Sequence, residues 1–302
     1  MKGVVTLKAA CYDYYFSLLL NEHVYIDVIS VYSNVINLKY KDTYYSIINK
    51  NVPKANYFLQ INEDINFLDL CEPNEKLEIN KNIIEGKKIK IDLTSSICHN
   101  WDTIKFKYSD ISVSYIDSLI KKETLRSGTI DFYKNYYFGI HEESDAIDMY
   151  LKSEIKKLND FLLKKETSDN FKIVGVGLGS TPSGDDYLCG FLYCCNQIND
   201  LRDLKKYIID VIEKNIYKTT DISKLMYQIY LNNGHNEVFY SLLKAMSDSS
   251  LFSVEMNYKK IKKIGHSSGI DFLIGIMNAL KIYKERKQYY VQKDNCKKKE
   301  LL

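Results

Sequence analysis

The sequence predicts an α+β protein, with an N-terminal antiparallel, barrel-like β-rich domain followed by a mainly α-helical domain that carries a glycine-rich loop. Three observations support this. From Val24 to about residue 110, short β-branched and aromatic runs alternate with Asn, Asp, Pro and Gly turn residues. From Asp145 the apolar residues recur at three- and four-residue steps. The stretch from residue 171, FKIVGVGLGSTPSGDDYLCGF, then crowds glycines, a proline and paired aspartates into one turn before an apolar helix.

In chain order, residues 8–20, KAACYDYYFSLLL, fit an amphipathic helix, with a strand as the open alternative. The runs HVYIDVISVYSNVINLKY, TYYSIIN, YFLQIN, KLEIN, KKIKIDLTS and IKFKY read as strands. Helices follow at residues 114–122 and 145–164, the second with Ile147, Leu151, Ile155, Leu158 and Leu162 on one face. Further helices are expected at 185–196, 201–216, 222–231, 236–246 and 269–284, and the polar, basic tail from Lys284 reads as a frayed or solvated terminus. We expect two domains, residues 1–140 and 141–302, with the change in character falling between 110 and 145.

Composition excludes several functions. A formal net charge of +3 over 302 residues gives a balanced surface, so nucleic acid is not an expected partner. No run of 18 apolar residues occurs, and the N-terminus lacks the pattern of a signal peptide, so neither a membrane span nor secretion is expected. The seven cysteines have no C-x-x-C pair or regular framework and read as reduced thiols of a cytoplasmic protein. Cys194 and Cys195 read as packing residues, and Trp101 as a core or interface residue of the β domain. His235 reads as exposed in a turn; no His or Cys set has zinc-ligand spacing, so no metal and no cofactor is expected.

The chemistry concentrates in two matched segments. SGDDYLCGF at Ser183 and SGIDFLIGI at Ser268 share Ser, Gly, Asp, an aromatic, Leu and Gly at equal offsets. With Ser183 and Ser268 as N-caps, Asp186 and Asp271 fall where a carboxylate reaches back toward the cap, and both read as structural caps. Two capped helices packed through small residues explain this repeat without any ligand. A ligand is favoured by the loop in front: FKIVGVG reads as a strand entering a turn in which Gly175, Gly177 and Gly179 expose backbone N–H groups at a helix start, a cradle for a small anion. Neither the P-loop nor the dinucleotide-binding fingerprint is present. The expected substrate-binding residues are Gly177, Gly179, Thr181, Ser183, Gly184, Ser268 and Gly269; the expected reacting groups are Asp185, His266 and Ser183, with Asp185 the freer of the two aspartates.

VYSNVINL, GVGLGSTPSGDDYLCGFL, TTDISKLMYQIYLNNG and GHSSGIDFLIGI together resemble the AllH-type subunit family of bacterial oxamate carbamoyltransferase, over roughly residues 24–283. Where family members read G-P-G-L-T-P-S-G-D-D, this chain has Leu178 for the Pro and Ser180 for the Leu. The resemblance implies a carbamoyltransferase subunit that acts with other subunits in anaerobic allantoin and purine nitrogen catabolism. Its small anionic substrates would be carbamoyl phosphate, oxamate and oxalurate. Backbone N–H groups of residues 179–184 would then face the developing oxyanion, while Thr181, Ser183, Ser268 and His266 orient the substrate. No basic residue stands inside either motif, which leaves phosphate neutralisation to a partner subunit. The competing readings are a non-catalytic scaffold subunit of the same complex and a stand-alone transferase or kinase for another small carboxylate.

Overall fold

The computed structural model describes residues 3–141, 143–163 and 170–299, with side chains to residue 288. The chain forms two compact units. The first runs to Thr103 and takes back Gly234–Glu237; the second comprises Ile104–Asn233 and the chain from Val238.

The first unit holds β1 (Val5–Asp13), α1 (Tyr14–Leu20), β2 (His23–Val31), β3 (Val35–Tyr40), β4 (Thr43–Ile48), β5 (Phe58–Ile61), β6 (Lys76–Asn80), β7 (Ile83–Glu85), β8 (Ile89–Asp92) and β9 (Ile97–His99). Strand order β5-β4-β3-β2-β6-β7-β8-β1 closes on itself because β1 also pairs with β5, giving an eight-stranded barrel with β9 alongside β1. Most pairs are antiparallel; β1–β8, β1–β9 and β4–β5 are parallel. The two-residue period is plain in β2, where Val24, Ile26 and Val28 are buried and His23, Tyr25 and Asp27 exposed. Residues 8–20 therefore divide between the end of β1 and the short α1. The join is Asp13, which accepts from the N–H groups of Phe16, Tyr57 and Phe58 and from Asn56 Nδ2. His235 is half-buried with its ring against Trp101, rather than standing out in a turn.

The second unit contains α2 (Asp110–Lys121), α3 (Gly128–Phe138), α4 (Ala146–Leu162), α5 (Ser183–Gln197), α6 (Arg202–Asn215), α7 (Asp221–Leu231), α8 (Glu237–Ser247, its first residue counted with the first unit), α9 (Leu251–Ile261) and α10 (Ser268–Lys299). The expected boundary at 140 would separate α2 and α3 from this unit. Their hydrogen bonds bind them to it: Ser112 Oγ donates to the Met246 carbonyl and Ser127 Oγ to Asp271. α3 and α9 are additional to the expected helices. The tail expected to fray continues α10 as helix to Lys299, and Lys284 and Arg286 pair with Asp110 and Asp203 at 2.5 Å. Lys164 and the side chain of Cys296 lie outside the described residues; the other six cysteines are free, with Cys194 and Cys195 buried as expected.

α5 is the axis of the helical unit, with every side chain from Ser183 to Cys195 buried. It packs along α10 at backbone distance. A Cβ on Gly190 would lie 1.9 Å from the Phe272 carbonyl oxygen, and one on Gly275 would lie 2.0 Å from that of Tyr187. Only glycine permits this approach, which explains why both matched segments carry one at that offset. No helix among the described residues is long and apolar enough to cross a membrane.

Candidate anion-binding cavity

The two matched helix starts meet. Thr181 Oγ1, just before α5, lies 2.8 Å from Ser268 Oγ at the start of α10, and Tyr187 meets Gly275 further along. The helices therefore run parallel, with both N-termini at the same end. There they open onto a cavity of about 670 Å³. Its lining includes Gly177, Leu178, Gly179, Ser180, Thr181 and Ser183 from the loop before α5, and Gly265, His266, Ser267 and Ser268 from the loop before α10.

The loop over residues 171–182 has no strand; FKIV is irregular, and its glycines do the turning. Gly175, Gly177 and Gly179 take φ of 77°, 129° and 93°, values that L side chains rarely adopt. The loop is then tied from below. Gly184 N–H donates to the Val176 carbonyl, and Thr220 Oγ1 to the Ser180 carbonyl. Among the described residues, the amides of Gly177 to Thr181 have no acceptor in the protein, and all five residues line the cavity. Helix dipoles from α5 and α10 add to the positive potential there.

Several expected roles meet a different geometry. Asp185, expected to be the freer aspartate, is 1% exposed and does not line the cavity. Its carboxylate accepts from Gly175 N–H at 2.8 Å, from Tyr227 OH at 2.6 Å and from Thr219 Oγ1, so it braces the loop. Pro182 is the N-cap of α5, with no side-chain cap, so Ser183 is the first helical residue and Asp186 closes no capping box. Gly184 and Gly269 lie beneath the lining: a Cβ on either would come within 2.2 Å of the Ile173 or 2.1 Å of the Ile261 carbonyl oxygen.

Asp186 and Asp271 lie side by side under the cavity floor, each buried to 1% exposure or less. Asp271 Oδ1 accepts from Ser127 Oγ at 2.5 Å and from Thr129 Oγ1, while its Oδ2 has no partner. Among the described residues neither Asp186 oxygen has a hydrogen-bond partner; the nearby hydroxyls of Thr181 and Ser268, which bond each other, favour its charged form against the larger effect of burial. Burial raises the pKa of both carboxyls, and Asp271 raises that of Asp186 further.

A third helix start completes the site and was missed from the sequence. Ser127 caps α3, Arg126 precedes it, and both line the cavity. The segment SGTID repeats Ser-Gly with the Asp one residue later, a resemblance that could have flagged it. Arg126, among the described residues the only Lys or Arg in the lining, comes from outside both matched motifs. On the same side stand Glu143, Asp145 and Asp148; Asp145 caps α4 and Asp148 Oδ1 accepts from Gly128 N–H at 2.7 Å. Among the described residues no group of three His, Cys, Asp or Glu is arranged to hold a metal ion. The cavity thus offers N–H donors and a guanidinium to an anion, and carboxylates to N–H groups.

No curated protein and no solved structure matches the chain. A family model does: residues 173–280, from the loop before α5 into α10, match the family described as oxamate carbamoyltransferase subunit AllH. The matched segment carries both helix starts but neither the barrel nor Arg126. In the region that builds the floor of this cavity, the chain is similar to that subunit family.

Proposed function

We propose that this chain is a subunit of a carbamoyltransferase and that its cavity binds a small substrate carrying both an anionic group and N–H groups. Carbamoyl phosphate, oxamate and oxalurate all fit that description. The observation that carries the reading is the joining of two unlike surfaces in one cavity. The Gly177–Thr181 amides, the two helix starts and Arg126 suit a phosphate or carboxylate. Asp145 and Asp148 suit the N–H groups of a carbamoyl or amide function.

Within this reading His266 and Ser183, both in the lining, contact the substrate, with Thr181 and Ser268 beside them. The loop amides receive negative charge as it develops on the carbamoyl oxygen. Asp185 acts on the loop rather than on the ligand, because Gly175, Thr219 and Tyr227 already occupy its carboxylate. The family's description as a subunit supports assembly with other chains, and the remaining catalytic groups belong to them. Breakdown of allantoin-derived nitrogen compounds is the setting that this substrate set suggests.

The test is a thermal-shift series on the purified chain with carbamoyl phosphate, phosphate, oxamate and oxalurate. A ligand at a hundred times its Kd stabilises the native state by about 2.7 kcal/mol, so binding is read without the partners. Stabilisation by at least one of them is expected, weakened about tenfold in affinity by Arg126→Ala. Absence of any shift in the wild-type chain overturns an anion site on this subunit.

A further inference from the structure

Asp186 lies one layer below the cavity lining. Its side chain is 1% exposed, and both carboxyl oxygens are buried without a hydrogen bond among the described residues. Above it the hydroxyls of Thr181 and Ser268, 2.8 Å apart, form the lining itself. The titratable groups that face it are Asp185 and Cys189 on its own helix, Asp271 on α10, and Tyr227 and Tyr230 on α7. Among the described residues no cation stands with them. A buried carboxylate without a counter-charge and beside a second buried carboxyl is less stable than the acid even with the Thr181 and Ser268 hydroxyls nearby, and the acid has a proton to donate to those hydroxyl oxygens.

We propose that Asp186 is held as a carboxylic acid and serves as the proton reservoir of the cavity, exchanging its proton with bound substrate through the Ser268 and Thr181 hydroxyls. The role rests on the carbamoyl-transfer reading. In the phosphorolytic direction a phosphate oxygen bonds to the carbamoyl carbon and the bond from that carbon to the amide nitrogen breaks. The departing nitrogen takes a proton from a lining hydroxyl, which is refilled from Asp186. The proton lost by the attacking hydrogen phosphate returns along the same pair, and Asp186 ends the cycle protonated. Because Asp186 acts through Ser268, it is a positioning residue rather than one that touches substrate.

Two measurements on Asp186→Asn, an isosteric neutral change, test this. Infrared spectroscopy of the purified chain at neutral pH should show a carboxylic-acid C=O band that the variant loses; if wild type minus variant shows only a carboxylate, the proposal is overturned. In the enzyme assembled with its partner subunits, the variant should lose about a hundredfold in kcat with KM nearly unchanged. Its rate should also lose the pH dependence that the wild type shows, and a folded variant with unchanged kcat overturns the relay. A wild-type complex without carbamoyl transfer overturns both the function and the relay, while the infrared band reports the protonated acid independently.

Discussion

The starts of α5 and α10 are the same sequence device in two electrostatic settings. Both put Ser-Gly before a buried Asp, and both bring a glycine against the other's backbone. They differ in what a third element supplies. Asp271 receives two hydroxyl donors from the start of α3, whereas Asp186 receives none. A motif therefore fixes where a carboxyl group lies, but its neighbours fix whether charge can be held there.

The shared part of the comparison is the easier to break. Gly190→Val and Gly275→Val each drive a side chain into a carbonyl that cannot retreat, and each should cost about 3 kcal/mol or more, read as loss of the cooperative thermal transition. The unlike part is sharpened by a matched pair of neutral substitutions. Asp271→Asn places an amide beside the Ser127 and Thr129 donors and should cost about 2 kcal/mol in urea unfolding, while Asp186→Asn loses no hydrogen bond and should be neutral or stabilising.

pH separates the two further. Folding raises the pKa of Asp186 well above its ordinary 3.8, so the native state binds the extra proton. The stabilising contribution is complete below that ordinary value and is lost as pH rises through the folded value. The advantage of Asp186→Asn over wild type should therefore grow from about pH 5 to about pH 8, and an advantage constant across that range would contradict the assignment. The smallest effect is expected at the loop. Gly179 has open space around its α-carbon, so Gly179→Ala should cost only about 1 kcal/mol through its φ of 93°, read as a modest fall in melting temperature.

Much of this arrangement was legible in the chain. The barrel followed from short β-branched and aromatic runs punctuated by turn residues, and the paired helix starts from a repeated string. α9 could have been found from Val254, Tyr258 and Ile261 at helical steps. α3 was harder, because FYKNYYF is apolar or aromatic around much of its circumference and shows little periodicity. Arg126 was beyond reach, since its place in the cavity depends on α3 docking against α10 from far along the chain. The surroundings of Asp185 and Asp186 were out of reach for a related reason. Which of two adjacent carboxylates is already occupied depends on Thr219 and Tyr227, more than thirty residues away.

The backbone contact between α5 and α10 has a consequence for recognition. With no side chain between Gly190 and Phe272 or between Gly275 and Tyr187, the separation of the helix starts is set by hard atomic radii, and no rotamer change can alter it. The donors before the two helices hang from a single rigid gauge. A small ligand bound there would meet them already at their final spacing, so little of its binding free energy would go into ordering the protein.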